Sequence, residues 1–152
     1  MKVIFDANVL ISYLLTSENV GNIVKIVEAG FVGKYELVLP PEVLSEIRKK
    51  LREKAFLSRR IDTATSEKFI SALRAIAYTP HPITEAIPEV GRDLKDDFLI
   101  AYGTIEECDY LITGDDDLHV LGSIGTLHIV SPKDFCTILY PPGSRVRKGP
   151  KT

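Results

Sequence analysis

The sequence predicts an α/β fold, a three-layer α/β/α sandwich around a central, mainly parallel sheet, and three observations predict it. Short, mostly apolar runs of strand length recur at Lys2-Val3-Ile4-Phe5, Glu36-Leu37-Val38-Leu39, Tyr110-Leu111-Ile112-Thr113 and Leu127-His128-Ile129-Val130. Between them lie segments whose apolar residues fall at helical spacing. Strands alternating with helices build parallel sheets. Right-handed crossovers then bring the strand C-termini to one edge, where such folds place their sites.

The first run stops abruptly at Asp6 and reads as a fully buried strand. Residues 8–15 (NVLISYLL) suit a helix packed close behind it. A second helix is expected over 20–29, with Val20, Ile23, Val24, Val27 and Phe31 at helical spacing and Gly30 as its stop. After the second strand, Pro40-Pro41 suits the first turn of a helix, where a missing N–H costs nothing. That helix shows Val43, Leu44, Ile47 and Leu51 on one face. Its other face carries Arg48, Lys49, Lys50, Arg52 and Lys54, an unusually basic surface that could contact phosphates or simply be solvated. Phe69, Ile70, Leu73 and Ile76 mark a helix over 66–77. Residues 78–91 hold Pro80, Pro82 and Pro88 and read as a loop, or one containing a short edge strand. A helix follows over 96–107, then the third strand, which ends at Gly114-Asp115-Asp116-Asp117. After the last strand, Ser131-Pro132 is an N-cap with proline at the first helical position, opening a helix over 132–139. One domain is expected over residues 2–140, followed by a basic, disordered tail over 141–152.

A chain of 152 residues can bury a sizeable core, and 45% apolar with 26% charged residues excludes a disordered composition. No apolar run approaches the roughly 20 residues that a bilayer span needs. The carboxylate at position 6 comes too early for a signal peptide, so a cytoplasmic protein without membrane contact is expected. Cys108 and Cys136 lack metal-ligand spacing and sit beside apolar residues, as buried free thiols do. His81, His119 and His128 are scattered, which argues against a zinc cluster. The net charge is −2, but Arg145, Arg147, Lys148 and Lys151 lie in the tail, leaving 15 basic against 21 acidic residues elsewhere. An acidic body does not bind duplex DNA by its global field. It does allow a local acidic site flanked by basic surface.

The acids cluster where the strands end. Asp6 closes the first strand and Asp115 follows the third, so both fall on one edge of the sheet. Asp96 and Asp97 open a helix, and Glu42 and Glu46 lie in the first two turns of the helix after Pro40-Pro41. Gathered carboxylates repel one another and need a cation or shared protons. Hard divalent ions such as Mg²⁺ or Mn²⁺ prefer such oxygen ligands, activate water and stabilise the leaving oxygen of a phosphodiester. Taken singly, each acid has a plainer reading: an Asp after a strand is often a helix N-cap, and Asp-Asp-Asp a solvated turn.

Over about residues 2–140 the chain resembles PIN domains. VIFDANVLIS is similar to their first motif, PPEVLSEIRKKL to the second, Asp97-Phe98-Leu99-Ile100-Ala101 to the third and Asp109 to Leu118 (DYLITGDDDL) to the fourth. Ser131-Pro132-Lys133-Asp134-Phe135 is similar to the family's closing segment. The resemblance implies that Asp6, Glu46, Asp97 and Asp115 bind Mg²⁺ or Mn²⁺, one or two ions. Glu42 remains an alternative to Glu46, and Asp96 to Asp97. It makes Asn8 a polar neighbour of the first acid, Asp117 a second acid of the fourth motif and Thr113 a hydroxyl near the site. The implied activity is an endoribonuclease that lets water attack an RNA phosphodiester, leaving 5′-phosphate and 3′-hydroxyl ends. It also implies the toxin of a VapC-type toxin–antitoxin pair, with a cognate antitoxin and a homodimer as partners.

Other classes fit the residues less well. A haloacid-dehalogenase phosphatase wants Asp-x-Asp at the first strand, where this chain has Asp6-Ala7-Asn8. A receiver domain wants paired acids earlier and a late lysine. An inactive PIN-like module that binds RNA or protein is the remaining alternative, and DNA hydrolysis would use the same chemistry.

Overall fold

The computed structural model describes residues 1–15, 21–90 and 94–143, with Phe56 described in its backbone alone. Val20, at the head of the expected second helix, and residues 144–152 of the expected basic tail lie outside the described residues. The order is β1 (Lys2–Phe5), α1 (Ala7–Leu15), α2 (Asn22–Phe31), β2 (Glu36–Val38), α3 (Pro41–Glu53), α4 (Ala55–Arg60) and α5 (Thr63–Ile76). Then come α6 (Leu94–Ile105), β3 (Tyr110–Ile112), α7 (Asp116–His119), β4 (Ser123–Ile124), β5 (Leu127–Val130) and α8 (Pro132–Leu139).

Among the described residues the strands form one sheet in the order β2-β1-β3-β5-β4. The first four of these strands run parallel, with Phe5 beside Ile112 and Ile112 beside Val130; β4 alone is antiparallel. Strand side chains alternate between the two faces, and each face has its own cover. On one face Phe5, Tyr110, Tyr35 and Phe135 of α8 form a ring cluster, with Phe5 at 89° to Phe135 and 6.4 Å between centroids. Such pairs add about 0.5–1.5 kcal/mol each beyond their buried area. On the other face α6 packs over β1 and β3, and Gly103 lets it approach β5 closely: a Cβ there would lie 2.9 Å from Leu127 Cδ2. This is the expected α/β/α sandwich.

Four details depart from or extend the sequence reading. Gly30 does not stop α2; the helix runs through it to Phe31. The residue is glycine because the Tyr35 ring lies against it, placed by a 2.6 Å hydrogen bond from the Tyr35 hydroxyl to the Ile26 carbonyl. α4 is an additional turn of helix anchored by the buried Leu57, with Ile61 buried just after it. β4 forms a hairpin with β5, where Ile124 pairs with Leu127 across Gly125-Thr126 and Gly125 takes a positive φ of 59°. Among its described residues the proline-rich stretch holds one isolated bridge, in which Tyr78 pairs in parallel with Val38 at the outer edge of β2.

Two consequences can be measured. A methyl at Gly30 would stand 2.7–3.0 Å from atoms of a rigid ring, so Gly30→Ala should lower stability by roughly 1–3 kcal/mol in urea unfolding despite alanine's better helix propensity. Both cysteines are buried and free, and burial pushes the Cys108 thiol up to about 12. Because only the thiolate reacts, Cys108 in a Cys136→Ser background should resist a thiol reagent at pH 8. Denaturant should expose it within the mixing time.

Candidate active site

The strand order reverses at β1, which has β2 on one side and β3 on the other. Open α/β sheets form their crevices beyond the strand C-termini at such a switch point. Asp6 stands there. Its backbone N–H donates to the Ile112 carbonyl at 2.9 Å, carrying the β1–β3 ladder one residue past β1. Its side chain is 2% exposed, and burying a carboxylate is costly without hydrogen bonds. Oδ2 accepts from the Thr113 hydroxyl at 2.8 Å, and Oδ1 accepts from the Asn8 N–H at 3.3 Å.

Thr113 works in both directions. Its hydroxyl accepts from the Asp115 N–H at 3.0 Å, which leaves its single proton for Asp6. Asp115 in turn caps the short helix α7, its Oδ1 accepting from the Asp117 N–H at 2.9 Å. The chain thus links Asp117 to Asp115, Asp115 to Thr113 and Thr113 to Asp6. The Asp117 side chain is exposed. His119, to which the sequence assigned no role, closes the turn with its Nε2 2.6 Å from the Thr113 carbonyl.

A second group comes from α3. Glu46 Oε2 lies 3.0 Å from Lys50 Nζ and 3.2 Å from Lys95 Nζ. Lys50 also donates to Asn8 Oδ1 at 2.7 Å, so one ammonium joins α1 to Glu46. Lys95 was not singled out in the sequence, because a lone lysine at a helix start carries no pattern. Glu42, one turn earlier, lines a pocket between α3 and α6 that Glu46 and Lys95 line as well.

The two acids of α6 diverge. Asp96 lies seven residues before Gly103 and therefore on the same, sheet-facing side of the helix. It is almost completely buried. Asp97 turns aside: its Oδ1 accepts from the Val90 N–H at 2.8 Å, and it lines an apolar pocket with Pro88, Val90 and Ile100.

Asp6, Thr113 and Asp115 are therefore directly linked, while Asn8 and Glu46 join through Lys50. Among the described residues, no three His, Cys, Asp or Glu side chains stand close enough together to hold a metal ion. In kind, however, the donors fit a hard divalent cation, being carboxylate, amide and hydroxyl oxygens. The Lys50 ammonium between Asn8 and Glu46 shows that these oxygens gather around positive charge.

A family model described as PIN domain matches residues 2–117, from β1 into the first turn of α7. Among curated proteins none matches the chain. PIN domains are generally nucleases, typically use divalent metal ions and act on RNA. Since the match spans well over half of the chain and takes in every acid just described, the protein belongs to the PIN-domain family.

Proposed function

We propose that the protein is a metal-dependent endoribonuclease that hydrolyses RNA phosphodiester bonds. The observation that carries this reading is the Asp115–Thr113–Asp6 link at the switch point, with Glu46 of α3 joined to Asn8 through Lys50. In this reading Asp6, Glu46 and Asp115 hold Mg²⁺ or Mn²⁺, one or two ions, together with an acid of α6. By the family resemblance that acid is Asp97, with Asp96 the alternative; both are buried, Asp96 on the sheet-facing side of α6 and Asp97 bound to the Val90 N–H. The ion supplies an activated water and neutralises charge on the phosphate.

The protein's own groups do the positioning. Thr113 fixes the Asp6 carboxylate and leaves its proton nowhere else to go. The Asp117 N–H orients Asp115. Lys50 and Lys95 hold Glu46 and add positive charge where a phosphate backbone would approach. From the resemblance to VapC-type proteins we further propose that the chain is a toxin, cytoplasmic and homodimeric, restrained by a cognate antitoxin. No helix among the described residues is long and apolar enough to cross a membrane.

One observation favours a second reading, an RNA- or protein-binding module without cleavage: Glu46 is engaged by two lysines. Metal-dependent cutting separates the two. With Mn²⁺, the parent protein should cleave single-stranded or structured RNA into products with 5′-phosphate and 3′-hydroxyl ends, and EDTA should abolish it. Asp6→Asn should cut at least 100-fold more slowly, the upper end of what losing even a supporting group costs; undiminished cutting by that variant would refute the nuclease reading. Thr113→Val keeps every acid but removes the Asp6 donor, and should reduce the rate about 10–100-fold and raise the Mn²⁺ concentration needed.

A further inference from the structure

We propose that the groove that α3 forms with α4 and α5 holds phosphates of the RNA strand away from the cut, gripped by Arg48 and Arg52. The proposal rests on the ribonuclease reading above and gives the same substrate a second contact. The groove has a volume of about 410 Å³, and its lining joins the apolar Leu51, Ile61 and Ile70 to the charged Arg48, Arg52 and Glu67.

Unmatched positive charge marks this groove. Arg48 and Arg52 lie one turn apart on α3, a spacing at which like charges repel and weaken a helix. Arg52 is exposed and makes no hydrogen bond or ion pair among the described residues. Arg48 has a 4.0 Å contact with Glu67, and both side chains are substantially exposed. Such a pair contributes little. The two serines of the groove, Ser58 and Ser66, give their protons to the Ala55 and Thr63 carbonyls. The charged donors left to a ligand are the two guanidiniums, whose planar fork matches phosphate oxygens.

What names the ligand is the row these residues continue. Steps of three along α3 lead from Glu46 to Lys49 and from Lys49 to Arg52, and residues three or four apart are neighbours on a helix surface. Arg48, four residues before Arg52, completes the row. At its near end Lys50 and Lys95 stand on Glu46, and Lys49 lines the pocket that Glu46 and Lys95 share. Positive charge thus runs from the acidic site over α3 into the groove, a crossing of about one helix diameter, roughly 10–12 Å. A single small anion would fill the groove alone. A flexible strand with a negative charge at every unit matches the whole row, and single-stranded RNA tracked by its backbone is such a strand.

The test is fluorescence anisotropy of a labelled single-stranded RNA dodecamer in EDTA, repeated across a salt series. The double variant Arg48→Gln, Arg52→Gln should bind roughly tenfold more weakly, as when hydrogen bonds to charged groups are lost. Its plot of log affinity against log salt should flatten by about 0.7 for each phosphate contact removed. Glu67→Gln removes the acid that competes for Arg48 and should tighten binding instead, a readout that does not depend on the arginine variant folding. The double variant Lys34→Gln, Lys133→Gln makes the same change in net charge on the α8 side of the sheet and should bind as the parent does. Parental affinity and salt slope in the arginine variant, an equal loss in the lysine variant, weaker binding by Glu67→Gln, or no binding by the parent would overturn the proposal. Cleavage with Mn²⁺ keeps the two readings apart. Cutting by the parent, with unchanged binding in the arginine variant, removes the groove alone. Arginine-dependent binding without cutting removes the nuclease alone.

Discussion

A carboxylate buried at the end of a central strand is the constraint on which the site depends. Asp6 is nearly inaccessible to solvent, and the desolvation of an ionised carboxylate costs several kcal/mol unless hydrogen bonds replace the lost water. Thr113 makes the main replacement from the neighbouring strand, and the Asn8 N–H at the start of α1 makes the other. A hydrogen bond to a charged group contributes about 1.5–3 kcal/mol, so the Asp6–Thr113 pair is comparable to the penalty it offsets. The pair exists only because β1 and β3 are parallel neighbours in a register that sets Phe5 beside Ile112. Sheet topology and site geometry are thus one requirement.

Around Glu46 the balance is different. Lys50 and Lys95 both approach one of its oxygens, and all three side chains retain some exposure. Partly exposed pairs of this kind contribute little to stability; their effect is to fix where Glu46 points. The basic face of α3 divides accordingly. Lys50 turns toward α1, Lys49 lines the pocket beside α6, and Arg48 makes a long, exposed 4.0 Å contact with Glu67. The five basic residues of this face therefore do not share one set of surroundings.

Much of this was legible in residue order. Continuous apolar runs ending in Asp6 and Thr113 announced parallel strands and the edge they share, because a strand buried on both faces has few polar side chains. Ser131-Pro132 announced α8, and the Ser131 hydroxyl does accept from the Asp134 N–H at 3.0 Å. Less legible were features that depend on a distant partner. Gly30 reads locally as a helix stop, yet it is set by a ring five residues on that folds back over α2. Asp96 and Asp97 are neighbours with identical chemistry, and only the rotation of α6 separates the sheet-facing acid from the one tied to Val90. Glu42 and Glu46 likewise share a helix face in sequence, but α6 delivers Tyr102 to one and Lys95 to the other.

The two ends of the sheet bear on how copies of the chain could meet. At the β2 end, the Tyr78 backbone hydrogen-bonds both Leu37 and Leu39, occupying the outer rim of the strand. At the other end stands β4, only two residues long. Short or covered margins deny an incoming strand the ladder it would need to add to the sheet. Self-association through continuous strand pairing is therefore disfavoured, and any stable assembly falls to the helical flanks, where side-chain shape rather than backbone pairing selects the partner.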